Sequence, residues 1–352
     1  MSHDAGFKVE PVDYELALPD LRSVRETVFV LEQHVPLELE WDDLDPLCRH
    51  VLARDAQGRA IGTGRLVPPL AAIQGWIARE SVADDAMGDD SARADSMEAG
   101  PDMHRTRPIA DGQDRPSATT ARIGRMAVLA EWRGRGVGDG LLLALIDEAR
   151  RLGWREVSLN AQVSAIGFYI RHGFLPYDAP FVEAGIDHQA MRRLIDKPNP
   201  VETRSAALAA TLGVIAGARR NLQIYSRDLD PGLLDTPEVL AAMRQFATQG
   251  GETRILLQDP GTPQRALSPL IGLAQRLPSA FAFRAVEEPG DLAYASAFVV
   301  NDRGGWYFRT LGHRFDGETH LHGEPRARQL RAGFDPMWER ARPCTEFRAL
   351  GI

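Results

Sequence analysis

The chain has 352 residues, of which 44% are apolar and 26% are charged, and its net charge is −8. This length predicts two domains, and the apolar share is enough to bury hydrophobic cores, which excludes a wholly disordered chain. The acidic balance excludes broad non-specific binding to nucleic acids or anionic membranes. Because Cys48 and Cys344 are the only cysteines, a disulfide framework and a cysteine-rich zinc site are excluded.

The start of the chain has neither a basic segment nor an apolar segment of the kind that forms a secretory signal. No apolar run approaches the roughly 20 residues that a membrane-spanning helix needs. With few cysteines as well, the expected setting is the cytoplasm.

Apolar spacing and turn residues predict the elements of the first half in chain order. Leu21 to Leu31 has helical spacing, and residues 50–54 and 60–67 form a predicted hairpin around residues 55–58. Residues 71–120 are rich in Asp, Ser, Ala, Gly and Pro without an apolar period, which predicts a disordered insertion. The remaining predictions are strands at 122–128 and 157–160 and helices at 139–152 and 165–171.

Two prolines, Pro198 and Pro200, predict a linker at residues 197–200, because proline blocks a helix and favours extended neighbours. The predicted domains are therefore residues 1–196 and 201–352. The second half alternates strands and helices, which predicts an α/β layered fold. Its predicted strands are 222–226, 253–257, 281–286, 297–301 and 305–309, and its predicted helices are 237–249, 267–277 and 326–340.

A glycine-rich segment, Arg133-Gly134-Arg135-Gly136-Val137-Gly138, lies between the predicted strand 122–128 and the predicted helix 139–152. Glycines in such a turn leave backbone N–H groups exposed at a helix N-terminus, where the dipole also attracts phosphate. The glycine spacing does not fit a dinucleotide fingerprint, and no Gly-Lys-Ser/Thr tripeptide of a Walker loop occurs.

This segment resembles the Arg-x-x-Gly-x-Gly loop of the GNAT acyltransferase superfamily. The resemblance extends over residues 7–195, apart from the 71–120 insertion, and is closest to the ElaA-like branch. The motifs that carry it include 28–33, 42–50, 64–66, 123–128, 160–162, 168–174 and 185–188. It implies an α/β (α+β) fold for this half, a mixed sheet with splayed central strands and flanking helices.

The resemblance also implies that acetyl-CoA, as the acyl donor, lies between strands 122–128 and 157–161. The implied donor-binding residues are Met126, Ala127, Val128, Arg133, Gly134, Arg135, Gly136, Val137, Gly138 and Asn160. Tyr169 matches the tyrosine that often protonates the departing thiolate in this family.

An amine acceptor with a lysine-like pKa of about 10.4 is neutral in only about one molecule per thousand at pH 7. This costs roughly 4.6 kcal/mol, so the site needs a proton acceptor or a water relay. The candidates are Glu32, His34, Glu40, Asp45, His50 and His188. Glu32 and His188 are favoured because they fall within family-like motifs, and no metal is expected.

The second half weakly resembles one half of a phospholipase D-like domain. With Asp302 aligned on that family's aspartate, Ala295 and Ala297 stand at the catalytic histidine and lysine positions, so the half is predicted to be inactive and to serve binding or assembly. The predicted function is transfer of an acetyl group from acetyl-CoA to an amine by direct attack. The alternative is a non-catalytic acyl-CoA sensor or scaffold whose second domain recruits a protein partner or a second copy of the chain.

Overall fold

The computed structural model describes residues 6–74 and 119–347. These residues form two compact units, one ending at Asn160 and including Val182–Ile186, and one made of Ala161–Phe181 and Asp187 onward. The mixed α/β class predicted from the sequence is confirmed. Most of the predicted insertion at 71–120 lies outside the described residues, and the predicted domains 1–196 and 201–352 remain predictions.

The first unit is built on a sheet whose strands follow one another in chain order, β1-β2-β3-β4-β5. Pairing is antiparallel from β1 to β4, and β5 is parallel to β4. The strands are β1 (Phe7–Val12), β2 (Arg49–Asp55), β3 (Ala60–Val67), β4 (Ala121–Val128) and β5 (Glu156–Gln162), of which β5 belongs to this unit through Asn160.

Two helices pack their apolar faces on this sheet. α1 (Tyr14–Arg25) begins at Asp13, whose side chain accepts a hydrogen bond from the Leu16 N–H, and it continues as a π-helix, Glu26–Glu32. The short helix α2 (Leu37–Glu40) follows, and α3 (Val137–Arg151) comes after β4. The residues of α3 that the sequence places on one face are buried, namely Leu141, Leu142, Leu145, Ile146 and Ala149.

The second unit contains an eight-stranded sheet of order β16-β12-β11-β10-β13-β14-β15-β9. β12, β11 and β10 are parallel, and the other pairs are antiparallel. The strands are β9 (Asn199–Val201), β10 (Asn221–Ser226), β11 (Glu252–Leu257), β12 (Phe281–Ala285), β13 (Ala297–Asn301), β14 (Trp306–Arg309), β15 (Gly317–His320) and β16 (Arg342–Pro343). Earlier in the chain lie β6 (Leu175–Pro176), β7 (Phe181–Glu183) and β8 (Ile186–Leu194), and β6 pairs with β8.

Helices cover the strands of the second unit. The first two are α4 (Ile166–Arg171) and α5 (Arg204–Gly217), and α5 begins at Thr203, whose hydroxyl accepts from the Ala206 N–H. The others are α6 (Pro237–Thr248), α7 (Gly261–Arg265), α8 (Pro269–Arg276), α9 (Pro289–Leu292) and α10 (Glu324–Arg340). One apolar core contains Leu175 together with residues of α5, α6, α8 and the sheet.

The elements predicted from apolar periodicity are present, with ends that differ by a few residues. The proline-containing segment at 197–200 is extended as expected, but Asn199–Val201 pairs with β15 as an edge strand. An edge position tolerates Pro200 because its missing N–H is not needed by a neighbour. Helix α5 and strand β8 were not predicted.

Both cysteines are buried, Cys48 in the first unit and Cys344 in the second, and burial raises the pKa of each thiol to about 12. Among the residues that the structure describes, no helix is long and apolar enough to cross a membrane.

Candidate functional site

A turn with two left-handed glycines leads from β4 into α3. Gly134 has a φ of 72° and Gly136 a φ of 85°, a conformation that strains any residue with a side chain. Apart from chain neighbours, no described atom lies within 4 Å of an ideal Cβ at either position. Gly136 is the N-cap of α3, so the first N–H groups of the helix, which have no partner within the helix, follow directly after it. The turn therefore has the backbone and the room to bind a phosphate group.

Arg133, at the start of this turn, is held by two contacts. Its two terminal nitrogens donate to both carboxylate oxygens of Glu32 at 2.6 Å, and its Nε donates to the carbonyl oxygen of Val128 at 2.9 Å. The hydrogen bond from Arg133 lowers the pKa of the Glu32 carboxyl. The pair places one predicted proton acceptor and one predicted phosphate ligand together at the surface.

Arg135 extends from the same turn and is exposed. Its guanidinium lies over the ring of Trp132, 5.2 Å from the ring centroid. Such a contact contributes about 0.5–1 kcal/mol at an exposed site, so it favours one orientation without fixing it. The second cation of the turn therefore stays near the open N-terminus of α3.

Strands β4 and β5 separate soon after they begin. Their parallel pairing joins Ala121 to Val157 and Arg122 to Ser158, and within the described part of the chain the register goes no further. β4 nevertheless continues to Val128. Since paired strands leave no room for a ligand between them, this separation opens the edge of β4 that the sequence analysis predicted to bind the donor.

A bulge changes the course of β4 at this opening. On β3, Thr63 faces Ala127 and Arg65 faces Gly124, so the single residue Gly64 stands opposite Arg125 and Met126. An ideal Cβ at Gly64 would lie 2.8 Å from the Met126 sulfur, and Arg125 has a φ of 50°. A bulge of this kind redirects the backbone beyond it, here at Met126, Ala127 and Val128.

Asn160 lies half-buried on β5. Its amide nitrogen is 3.5 Å from a carboxylate oxygen of Glu183, which is the outer limit for a hydrogen bond. A contact this long holds the amide weakly, so Asn160 can donate to another acceptor.

A buried network of charged side chains lies in the first unit, and the sequence analysis did not predict it. Arg25 has an Nε–Oε1 distance of 2.5 Å to Glu40 and an Nη1–Oδ1 distance of 2.8 Å to Asp45, and its guanidinium lies 3.9 Å from the Trp41 ring centroid. Arg65 joins two carboxylates of the network, because its Nη1 lies 2.8 Å from Asp45 Oδ1 and 2.7 Å from Asp42 Oδ1.

Arg125 connects the same network to the bulge in β4. Its Nε is 3.2 Å from the Glu40 carboxylate and donates to the Glu40 carbonyl oxygen at 3.1 Å. Arg125 also donates to the Leu39 carbonyl oxygen. The arginine with the left-handed backbone is thus anchored to the end of α2.

The network engages three of the six candidate proton acceptors. Burial opposes ionisation of Asp45, but Arg25 and Arg65 outweigh burial and lower the Asp45 pKa. For Glu40 burial is the larger effect, so it raises the Glu40 pKa although neighbouring arginines act to lower it. The His50 Nε2 lies 2.8 Å from the Asp45 carbonyl oxygen, and burial lowers the His50 pKa. All three side chains are at most 2% exposed, so they are not placed to receive a proton from a substrate.

Tyr169, the predicted thiolate donor, lies on α4 in the second unit and is 9% exposed. Its ring makes edge contacts with Phe168 and Phe174, at centroid distances of 5.0 and 5.8 Å. Burial is the one cause that raises its pKa, to about 12. The phenol therefore keeps its proton at neutral pH.

His188, the other favoured proton acceptor, lies on β8 in the second unit. Its ring stacks on Phe181 with the centroids 5.8 Å apart, and the residue is 9% exposed. The remaining candidate, His34, is exposed and has a φ of 57°. Over residues 6–74 and 119–347, no three potential metal ligands come together.

In the second unit, Asp302 has a structural contact that its sequence position did not indicate. Its carboxylate accepts hydrogen bonds from the backbone N–H groups of Arg219, Arg220 and Asn221. Arg309 is 1% exposed and paired with the buried Asp230. A buried arginine needs such a partner because an unpaired charge is costly inside a protein.

Two family models match separate parts of the chain. A model described as "Acetyltransferase (GNAT) domain" matches residues 112–195, which confirms the resemblance found in the sequence. A model described as "Domain of unknown function (DUF7931)" matches residues 203–350. The phospholipase D-like resemblance is not supported.

The relatives cover about half of the chain. "Uncharacterized N-acetyltransferase YjcF" of Bacillus subtilis is 27% identical over 180 residues, which is 51% of this chain and 94% of that protein. ElaA of Escherichia coli is 21% identical, with 53% of this chain and 99% of that chain covered and a TM-score of 0.37. An acyl-CoA N-acyltransferase from Pseudomonas aeruginosa is 24% identical, with 53% of this chain and 99% of that chain covered, and its TM-score is also 0.37.

Proposed function

We propose that the protein is an acyltransferase that transfers an acetyl group from acetyl-CoA to an amine, a proposal supported by the match of residues 112–195 to a GNAT acetyltransferase domain. The observation that best supports this proposal is the open turn at Gly134 and Gly136, beside the edge of β4 from which β5 separates. No described atom fills the space that a side chain would take at either glycine, which supports a diphosphate at this turn.

In this proposal the donor binds along the first unit. The N–H groups of the turn from Gly134 to Gly138 hold the diphosphate, with the guanidinium groups of Arg133 and Arg135 beside them. The backbone of Met126, Ala127 and Val128 and the Asn160 amide hold the pantetheine arm, in the manner of a strand added to an open sheet edge.

The amine nitrogen attacks the thioester carbonyl carbon, the carbon–sulfur bond breaks, and the sulfur leaves with the bonding electrons. Tyr169 donates a hydrogen bond to that sulfur. Full transfer of its proton, from a pKa of about 12 to a thiol of pKa about 8.5, would be uphill by roughly 5 kcal/mol. Tyr169 therefore stabilises the thiolate as a neutral donor, and the thiolate takes its proton from water.

The amine must lose a proton, and His188 is a better acceptor for it than Glu32. Both oxygens of Glu32 already accept from Arg133, which lowers the Glu32 pKa and weakens it as a base. The imidazole of histidine is the side chain that most often serves as a general base in enzymes, and His188 lies within a family-like motif. Glu32 is then a partner of Arg133 that competes with the diphosphate.

Two measurements on the full chain test this function. Isothermal titration with acetyl-CoA should show saturable binding, and a panel of primary amines should cause release of the CoA thiol. Tyr169→Phe should lower kcat about 10- to 100-fold with little change in acetyl-CoA affinity. Binding without thiol release from any amine would favour the sensor alternative, and absence of binding at high micromolar acetyl-CoA would reject both.

A further inference from the structure

The helix that carries Tyr169 packs inside the second compact unit. Residues Ala161–Phe181 fold with Asp187 and the residues that follow it. Ile170 and Leu175, on either side of the end of α4, contact the core formed mainly by residues after Val201. The residues matched by the domain of unknown function thus share a core with the Tyr169 segment.

α5 approaches α4 closely at Gly213, about one turn before the end of α5. An ideal Cβ at Gly213 would lie 3.1 Å from the carbonyl oxygen of Ile170 and 3.2 Å from a methyl carbon of Leu321. The buried residues of α5 before it are mostly alanines, so the helix presents small side chains at this contact. Glycine at 213 therefore sets how closely α5 and α4 approach.

Leu321 and Arg193 also contact the end of α4. Leu321 lies against Gly173, 3.7 Å from an ideal Cβ there, as well as against Gly213. Arg193 donates a hydrogen bond to the carbonyl oxygen of His172 at 2.7 Å. The turn after Tyr169 is thus fixed by α5, by Leu321 and by β8.

Backbone hydrogen bonds link this turn directly to Tyr169. The Tyr169 carbonyl oxygen accepts from the N–H groups of His172 and Phe174, at 3.0 and 3.1 Å, and the Ile170 carbonyl oxygen accepts from Gly173 at 3.0 Å. α4 has only six residues, and a helix this short is not stable without packing.

We propose that Gly213 and Leu321 are positioning residues for Tyr169, so that residues 201–352 serve the acyltransferase reaction itself. This role rests on the function proposed above for Tyr169. It differs from the binding or assembly role expected from the sequence, because Gly213 and Leu321 contact the end of α4, the helix that carries Tyr169.

The test uses the full chain with Gly213→Ala and Leu321→Ala, which crowd and loosen the contact respectively. Gly333→Ala is the matched control, because Gly333 lies in helix α10 of the same unit and no described atom lies within 4 Å of its ideal Cβ. We expect both test variants to lower kcat for thiol release roughly fivefold, since small misplacements of a reacting group are costly. Acetyl-CoA affinity measured by titration should stay within twofold, and the control should match the parent protein.

A second readout does not depend on activity. The chain is labelled with 3-fluorotyrosine, and the fluorine resonance of position 169 is assigned by its loss in Tyr169→Phe. We expect this resonance to shift in both test variants and to stay unchanged in the control. A shifted resonance in a protein that releases no thiol would reject the proposed function while supporting the positioning contact.

Unchanged kcat and an unchanged resonance in the two test variants would overturn the proposal. A parallel loss of acetyl-CoA affinity and kcat would also overturn it, because that pattern indicates general loss of structure. If Gly213→Ala does not fold, Leu321→Ala decides between these outcomes alone.

Discussion

At the scale of single residues, the proposed phosphate site depends on backbone conformation more than on side chains. Gly134 and Gly136 both have positive φ values and both face open space. Glycine is the residue that adopts this conformation without strain. The sequence carries this signal directly, since glycines between a strand and a helix indicate an exposed helix N-terminus.

Replacing Gly136 with alanine tests the turn. Gly58 is the matched control, because its φ of 82° is close to the 85° of Gly136 and neither has a described atom within 4 Å of its ideal Cβ. Gly136→Ala and Gly58→Ala should each lower the free energy of unfolding by about 1–2 kcal/mol, the cost of a left-handed alanine. Only Gly136→Ala should weaken acetyl-CoA binding, by at least about tenfold. Equal affinities for the two variants in titration calorimetry would contradict the site.

Replacing Glu32 with glutamine distinguishes its two possible roles. Because the change frees Arg133 from a bidentate ion pair, we expect acetyl-CoA to bind a few-fold more tightly and kcat to stay within twofold. A drop of 100-fold or more in kcat for Glu32→Gln would instead identify Glu32 as the base.

At the scale of elements, the buried charge network joins α1, the end of α2 with the segment that follows it, β3 and β4. Arg25, Arg65 and Arg125 each meet a carboxylate from residues 40–45. Removing one partner of a buried ion pair leaves an uncompensated charge and typically costs 3–5 kcal/mol. The network therefore fixes the bulge of β4 that borders the proposed donor site.

The pH dependence of stability tests how buried this network is. Burial lowers the His50 pKa below its ordinary value near 6.5, so below that pH the unfolded chain binds a proton more readily than the folded chain. The stability that neutral His50 provides is present above about pH 6.5 and is lost as the pH falls. Between pH 7 and 5, His50→Gln should lose less stability than the parent protein in urea denaturation. His34→Gln, at an exposed position, should lose as much as the parent, and an identical slope in all three proteins would contradict the prediction.

The elements that were predicted from the sequence are those with a local signal. The hairpin of β2 and β3 follows from alternating apolar residues around a turn, and α3 follows from one apolar face. Helix α5 was missed because Arg204–Gly217 is apolar nearly all round and has no polar face to reveal its period. The charge network was missed because its arginines are 40 and 60 residues apart, so only folding brings them to the acidic run.

At the scale of the whole molecule, the chain folds as two compact units whose limits differ from the predicted domain boundary. Residues 161–181 fall within the GNAT match but fold with residues after 187. Long-range packing of α4 and β6 on α5 decides this, and no local pattern in either segment indicates it.

Truncation after residue 200 tests this division. The shortened chain lacks α5 and Leu321, so Ile170 and Leu175 lose the core against which they pack. We expect the amides of residues 166–176 to exchange hydrogen at least about tenfold faster than in the full chain, measured by mass spectrometry. Equal exchange in this segment would show that residues 1–200 fold independently. Residues 50–54, in a strand of the first unit, provide the internal reference.

The burial of Cys48 and Cys344 has a practical consequence for all the kinetic experiments. With both sulfurs enclosed and their pKa values near 12, the native chain holds almost no reactive thiolate at assay pH. An aromatic disulfide such as Ellman's reagent should therefore develop colour only in proportion to the CoA that is released. Turnover can then be followed continuously without a correction for the enzyme's own sulfhydryl groups.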